Sequence, residues 1–185
     1  MADEPGWESN KIKVILVFVS TINGKVTKWD NPSVTSWSSE ADQKYFSDLL
    51  KNSKLVVTGI NSFLADPMQP SENHLIVVMS SHSGDYKEYE VKGKIEFSSE
   101  SPVHLVRRFE KAGYGMMTVL GGPGIATCFL KEKLVDELWL TIEPKIFGSG
   151  KNLVRRSFLD VELKLNSIEK VNEEGTLILK YSITK

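Results

Sequence analysis

The run KVILVFVS, Lys13 to Ser20, constrains the fold more than any other part of the chain. It is apolar almost without interruption and rich in valine, so it reads as a strand covered on both faces, inside a sheet that carries helices on each side. Similar runs recur at Lys54 to Thr58 (KLVVT), His74 to Met79 (HLIVVM) and Gly115 to Leu120. Helical signals separate them. Ser39 can cap a helix with Ala41, Tyr45, Phe46, Leu49 and Leu50 on one stripe, and Ser101 and Pro102 suit the N-cap and first position of a helix ending at Gly113. A further helix contains Cys128, and Val135, Leu138, Leu140 and Ile142 mark the next strand. The period then changes: Val161, Leu163 and Leu165 alternate, as do Leu177, Leu179, Tyr181 and Ile183, with NEEG at Asn172 to Gly175 as a turn between them. Strands alternating with helices and closing on a hairpin predict a three-layer α/β/α domain. Its central sheet is mixed and mostly parallel, with the antiparallel hairpin at one edge.

The 185 residues suit one domain, residues 1–185, with 1–11 as a flexible tail. Lysine and arginine number 23 against 24 acids, so no basic field draws the chain to nucleic acid or anionic lipid. A small-molecule substrate is the expected partner. No apolar run is long enough to span a membrane, and MADEPGWESNK lacks the apolar core of a signal peptide. Cys128, the single cysteine, excludes an intrachain disulfide and fits a reducing compartment, so a cytoplasmic location is expected. The three histidines stand apart, and no metal constellation is visible.

One stretch demands a reason. TVLGGPGIATCFL, Thr118 to Leu130, runs from strand into Gly121, Gly122, Pro123 and Gly124 and then into helix. Glycines there cost backbone entropy, and two explanations stand: a tight turn that needs positive φ, or bare backbone that lets a pyrophosphate approach a helix N-terminus. The pattern is neither GxGxxG nor a Walker loop. A second strand, in KLVVTGINSFLADP, ends likewise at Gly59, with hydroxyls at Thr58 and Ser62. Two such turns could hold the two ends of one cofactor, in a sheet whose ligands sit at the carboxyl ends of strands.

From Val14 to the hairpin the chain resembles the reductase domain of riboflavin biosynthesis, the C-terminal half of the bifunctional deaminase-reductase, which has the dihydrofolate reductase fold. The matching stretches are TINGKVT (Thr21 to Thr27), VTSWSSEA (Val34 to Ala41), VTGINSFLADP (Val57 to Pro67), GGPGIATCFLKEKLVDELWL (Gly121 to Leu140) and EPKIFGSGK (Glu143 to Lys151). The resemblance implies NADPH-dependent hydride transfer to a pyrimidine, pteridine or ribosylamino compound, by a homodimer. By position, Trp37, Thr58, Gly59, Ser62, Asp66, Gly121, Gly122, Pro123, Gly124 and Ile125 would line the cofactor, and Ser80 and Ser81 would meet its 2′-phosphate. Asn23, Lys25, Thr35 and Lys51 would face the substrate, with Lys25 and Asp66 as the catalytic positions.

The departures from that family pattern fall on the substrate side. Leu120 stands where the family has a glutamate before the double glycine, Asn23 where it has aspartate, Met68 where an arginine would grip a sugar phosphate, and Lys51 where the helix carries arginine. Lysine neutralises phosphate without the bidentate fork. A module that keeps the nucleotide without turnover, a reductase of an unrelated small molecule, and a structural dimer that uses the fold alone therefore stand as alternatives.

Overall fold

A computed structural model of the chain describes residues 11–184; the tail expected at 1–11 lies, apart from Lys11, outside the described residues. Eight strands form one sheet in the order β4-β3-β2-β5-β1-β6-β8-β7. They are β1 Lys13–Thr21, β2 Leu55–Gly59, β3 Leu75–Met79, β4 Ile95–Ser98, β5 Met116–Val119, β6 Glu137–Glu143, β7 Leu163–Lys170 and β8 Leu177–Ile183. The first six run parallel and the last two pair antiparallel to their neighbours. Among the described residues no helix is long and apolar enough to cross a membrane.

The helices α1 (Glu40–Asn52), α2 (Ile60–Ala65), α3 (Pro102–Lys111) and α4 (Pro123–Lys131) cover both faces. Leu49 of α1 packs on Ile15 and Val17, and Phe63 of α2 on Val56, Ile76 and Val78. On the opposite face Leu105 and Phe109 of α3 join Ala126 and Phe129 of α4 over Val14, Leu16 and Val57. The expected caps are present: Ser39 Oγ accepts from the Asp42 N–H at 3.2 Å, and Ser101 Oγ from the His104 N–H at 3.4 Å. In the hairpin turn Asn172 Oδ1 accepts from the N–H groups of Gly175 and Thr176 at 3.0 and 2.8 Å.

Two features differ from the sequence expectation. A 3-10 helix, Ser83–Tyr89, and strand β4 stand between β3 and α3, so β3 pairs with β4 and β2. The chain then crosses back to β5, which inserts between β2 and β1. In the hairpin, β8 is an inner strand with Ile178 and Leu179 buried, while edge strand β7 is exposed throughout.

This topology positions the site. From β2 the chain leaves outward to β3, and from neighbouring β5 it leaves the other way to β6. Diverging connections open a crevice beyond the carboxyl ends of β2 and β5, the place where open α/β sheets bind ligands.

Candidate active site

A cavity of about 930 Å³ occupies that crevice. The two glycine turns meet at its floor. The Gly59 N–H donates to the Gly121 carbonyl at 3.0 Å, and the Leu120 N–H donates to the Val57 carbonyl at 2.8 Å. Gly121 has φ of 71°, and a Cβ there would lie 2.5 Å from the Phe18 ring. Its glycine answers the need for a positive φ and for a close approach by Phe18. The Gly121–Gly122 peptide is cis. Gly122 has φ of −68° and caps α4 without a side chain. Pro123 has no N–H, so the unpaired donors of the first turn, from Gly124 and Ile125, are available where both residues line the cavity.

Thr58, Gly59, Ser62, Asp66, Ser80, Ser81, Gly122, Pro123, Gly124 and Ile125 all line this space, as does Thr35. Ser62 Oγ lies 3.0 Å from where a Cβ on Gly122 would be. Ser80 Oγ accepts from the His82 N–H at 3.1 Å, and Ser81 Oγ lies 3.0 Å from His82 Nδ1. Asp66 is fully engaged. Its oxygens accept from Ser33 Oγ at 2.7 Å, the Val34 N–H at 2.8 Å and Thr35 Oγ1 at 3.1 Å. That fixes the loop between β1 and α1 over the cavity and makes Asp66 a positioning carboxylate.

Other expected site residues are placed elsewhere. Trp37 is buried, edge-on to Phe147 with centroids 5.3 Å apart, and belongs to the packing under the loop. Asn23 accepts from Thr21 Oγ1 at 2.7 Å and donates to the Phe147 carbonyl at 2.8 Å, stitching the end of β1 to the segment after β6. Lys25 Nζ donates to Asn152 Oδ1 at 2.8 Å. Lys51 is exposed at the end of α1 and pairs with Asp48 at 2.8 Å. Neither lysine lines the cavity, but Lys25 is held by Asn152, which does.

The structure adds a carboxyl group that the apolar stripe concealed. Asp42, in the first turn of α1, is 6% exposed and lines the cavity with Tyr45 and Phe46. Burial pushes its pKa above the ordinary value of 3.8; the hydroxyls of Thr141 and Ser38 pull the other way, and Glu143 adds a smaller push upward. Glu143 is itself satisfied, accepting from the Ser39 N–H at 2.8 Å and from Thr176 Oγ1 at 3.0 Å. Asp42 alone of this pair faces the cavity. A carboxyl that keeps its proton above the usual range can donate to or protonate a ligand nitrogen. The signal was in the sequence: positions 42, 45, 46 and 49 share one helical face, and the first of them is an acid.

The comparisons with known proteins agree with this architecture. The pyrimidine reductase-like protein of Corynebacterium diphtheriae has a similar structure, with a TM-score of 0.76 at 14% identity, covering 95% of this chain and 93% of that one. Dihydrofolate reductase from Enterococcus faecalis, solved with NADP(H) and RAB-propyl, superposes with a TM-score of 0.62 at 16% identity, covering 94% of this chain and 97% of that one. The fold is therefore that of the dihydrofolate reductase-like reductases. In sequence, the uncharacterized protein YwjB of Bacillus subtilis is 21% identical over 167 residues, 87% of this chain and 93% of that protein. The sequence model of the RibD C-terminal domain matches residues 12–177, and a match of that extent over this fold means that the chain belongs to the RibD C-terminal domain family.

Proposed function

We propose that this protein is an NADPH-dependent reductase whose cofactor lies in the crevice beyond β2 and β5 and whose substrate is a pyrimidine- or pteridine-type heterocycle held beside Asp42. The carrying observation is one continuous cavity that joins both glycine turns to a buried carboxyl group with a raised pKa. The chain fits the dinucleotide: Gly122 offers bare backbone and Gly124 and Ile125 free N–H donors, with the hydroxyls of Thr58 and Ser62 in the same lining. When bound, the nicotinamide supplies hydride.

The protein's share is orientation, exclusion of water and a proton. Phe18, Val17 and Phe46 make apolar walls for a flat ring. Asp42 in its protonated form gives a hydrogen bond or proton to a ring nitrogen, and the Thr141 hydroxyl favours the charge that remains. Asp66 keeps the loop carrying Ser33, Val34 and Thr35 closed over this side. Ser80 and Ser81 stand at the end of β3 as donors for a 2′-phosphate, which favours NADPH over NADH.

Turnover of a pyrimidine and pteridine panel, followed by loss of nicotinamide absorbance, tests the reading. Oxidation of NADPH with at least one compound, abolished in Asp42→Asn, supports it; saturable NADPH binding with no turnover favours the nucleotide-binding alternative, to which Leu120 and Met68 in the cavity lining point.

We also propose a two-fold dimer through β7. This edge strand exposes Leu163 (43%), Leu165 (47%) and Ile168 (57%), an apolar row that a second copy would cover.

A further inference from the structure

The segment Gly150–Arg156 crosses the cavity mouth and brings three cations to its lining, Lys151, Arg155 and Arg156. Only Gly150 and Lys151 belong to the family-like stretch Glu143 to Lys151; the two arginines lie beyond it. It is pinned at both ends. The Lys151 N–H donates to Thr27 Oγ1 at 2.8 Å, and the Val26 N–H donates to the Lys151 carbonyl at 2.9 Å. The Arg155 N–H donates to Thr127 Oγ1 at 2.9 Å, whose hydroxyl in turn donates to the Pro123 carbonyl at 2.6 Å. The strap is thereby tied to the first turn of α4.

Gly124 shows how close the two come: a Cβ there would lie 2.9 Å from Arg155 Cζ and Nη2. The bare backbone at this position makes room for a guanidinium. That arrangement is electrostatically one-sided. A helix N-terminus is the positive end of its dipole, so a cation beside it is repelled. No carboxylate forms an ion pair with Lys151, Arg155 or Arg156 among the described residues. The cavity's carboxylates, Asp42 and Asp66, pair with none of the three cations, so an anionic ligand would supply the counter-charge at this helix N-terminus, and arginine suits a phosphoryl group through its planar fork.

We propose that the 150–156 strap is a phosphoryl clamp in which Arg155, supported by Arg156 and Lys151, closes over the pyrophosphate of the bound dinucleotide. The inference rests on the cofactor reading above and adds the residues that retain the ligand. It gives the chain its own cationic contact at Gly124, two residues along α4 from the Gly122 position that Ser62 approaches.

The test uses the full chain with Arg155→Met, Arg156→Met and, as a control, Lys111→Met at the far end of α3. NADPH is titrated against nicotinamide fluorescence, and thermal unfolding is followed with and without inorganic pyrophosphate. Arg155→Met should weaken NADPH by about tenfold or more, the loss of one charge-assisted contact. It should also lose the protection that pyrophosphate gives the parent, while Lys111→Met keeps both. Unchanged NADPH affinity in Arg155→Met, or equal weakening in Lys111→Met, overturns the clamp. If pyrophosphate protects the parent through Arg155 but the parent does not bind NADPH, the dinucleotide assignment falls and the clamp survives only as a phosphoryl site.

Discussion

The Gly59 N–H donates to the Gly121 carbonyl at 3.0 Å, so the turns that end β2 and β5 are one unit. Within that unit adjacent glycines do different work. Gly121, at φ of 71° against the Phe18 ring, is a folding requirement. Gly121→Ala should cost about 2 kcal/mol or more, from positive φ and from the displaced ring, read as a lower midpoint in urea. Gly122, at φ of −68°, tolerates a side chain apart from a contact with Ser62 Oγ. Gly122→Ala should stay within about 1 kcal/mol of the parent in the same experiment.

Asp42 gives a signed pH prediction. Its folded pKa is raised above 3.8 by burial, so the folded state holds this proton more tightly than the unfolded chain. Its contribution is present in full below 3.8 and is lost as pH rises through the raised value. Asp42→Asn removes the charged form, so its stability should fall less than the parent's between acid and neutral pH, in urea unfolding across that range. A steeper fall in the variant would contradict a buried, proton-retaining carboxyl.

Asp66 acts through the loop it holds. Asp66→Ala removes the acceptor of the Ser33, Val34 and Thr35 donors, and should destabilise by about 1–2 kcal/mol. Because the loop borders the substrate side, KM for any accepted substrate should rise more than kcat falls. Loss of kcat with KM unchanged would make Asp66 a catalytic group after all.

Much of the framework could be read from residue order. β1, β2 and β3 announced themselves because strands covered on both faces must be apolar throughout, and Ser39 and Ser101 capped as their residue types suggest. β4 escaped because four residues, IEFS, with Glu96 paired to Arg108, carry too short a pattern. Strand order was hidden for a different reason: the insertion of β5 between β2 and β1 is a long-range choice that no local period encodes. In the site, the backbone positions Gly59 and Gly122–Ile125 were legible as breaks in periodicity, whereas Gly121, expected with them, lies outside the lining and packs on Phe18. Lys25, Asn23, Trp37 and Lys51 rest on family position alone; this chain engages Asn23, Trp37 and Lys51 away from the cavity lining and holds Lys25 at its border through Asn152. Asp42 is concealed in the sequence because an acid in the first turn of a helix is ordinarily a solvated partner of the helix dipole.

Assembly is tested at β7. Replacing Leu165 and Ile168 together with lysine, on an exposed edge strand, should leave the monomer fold intact and shift sedimentation from a dimer to a monomer across a dilution series. A parent that sediments as a monomer at every concentration would contradict the interface.

Dinucleotide binding in the cavity beyond β2 and β5 is read out by a paired NADPH titration of the parent and Gly122→Val. A β-branched side chain on Gly122 fills the space beside Ser62 Oγ and covers the first turn of α4. The parent should show saturable, one-to-one enhancement of nicotinamide fluorescence, and a Gly122→Val protein of matching circular dichroism none, if the cavity holds the dinucleotide as proposed. Equal binding by both, or no binding by the parent, would contradict it.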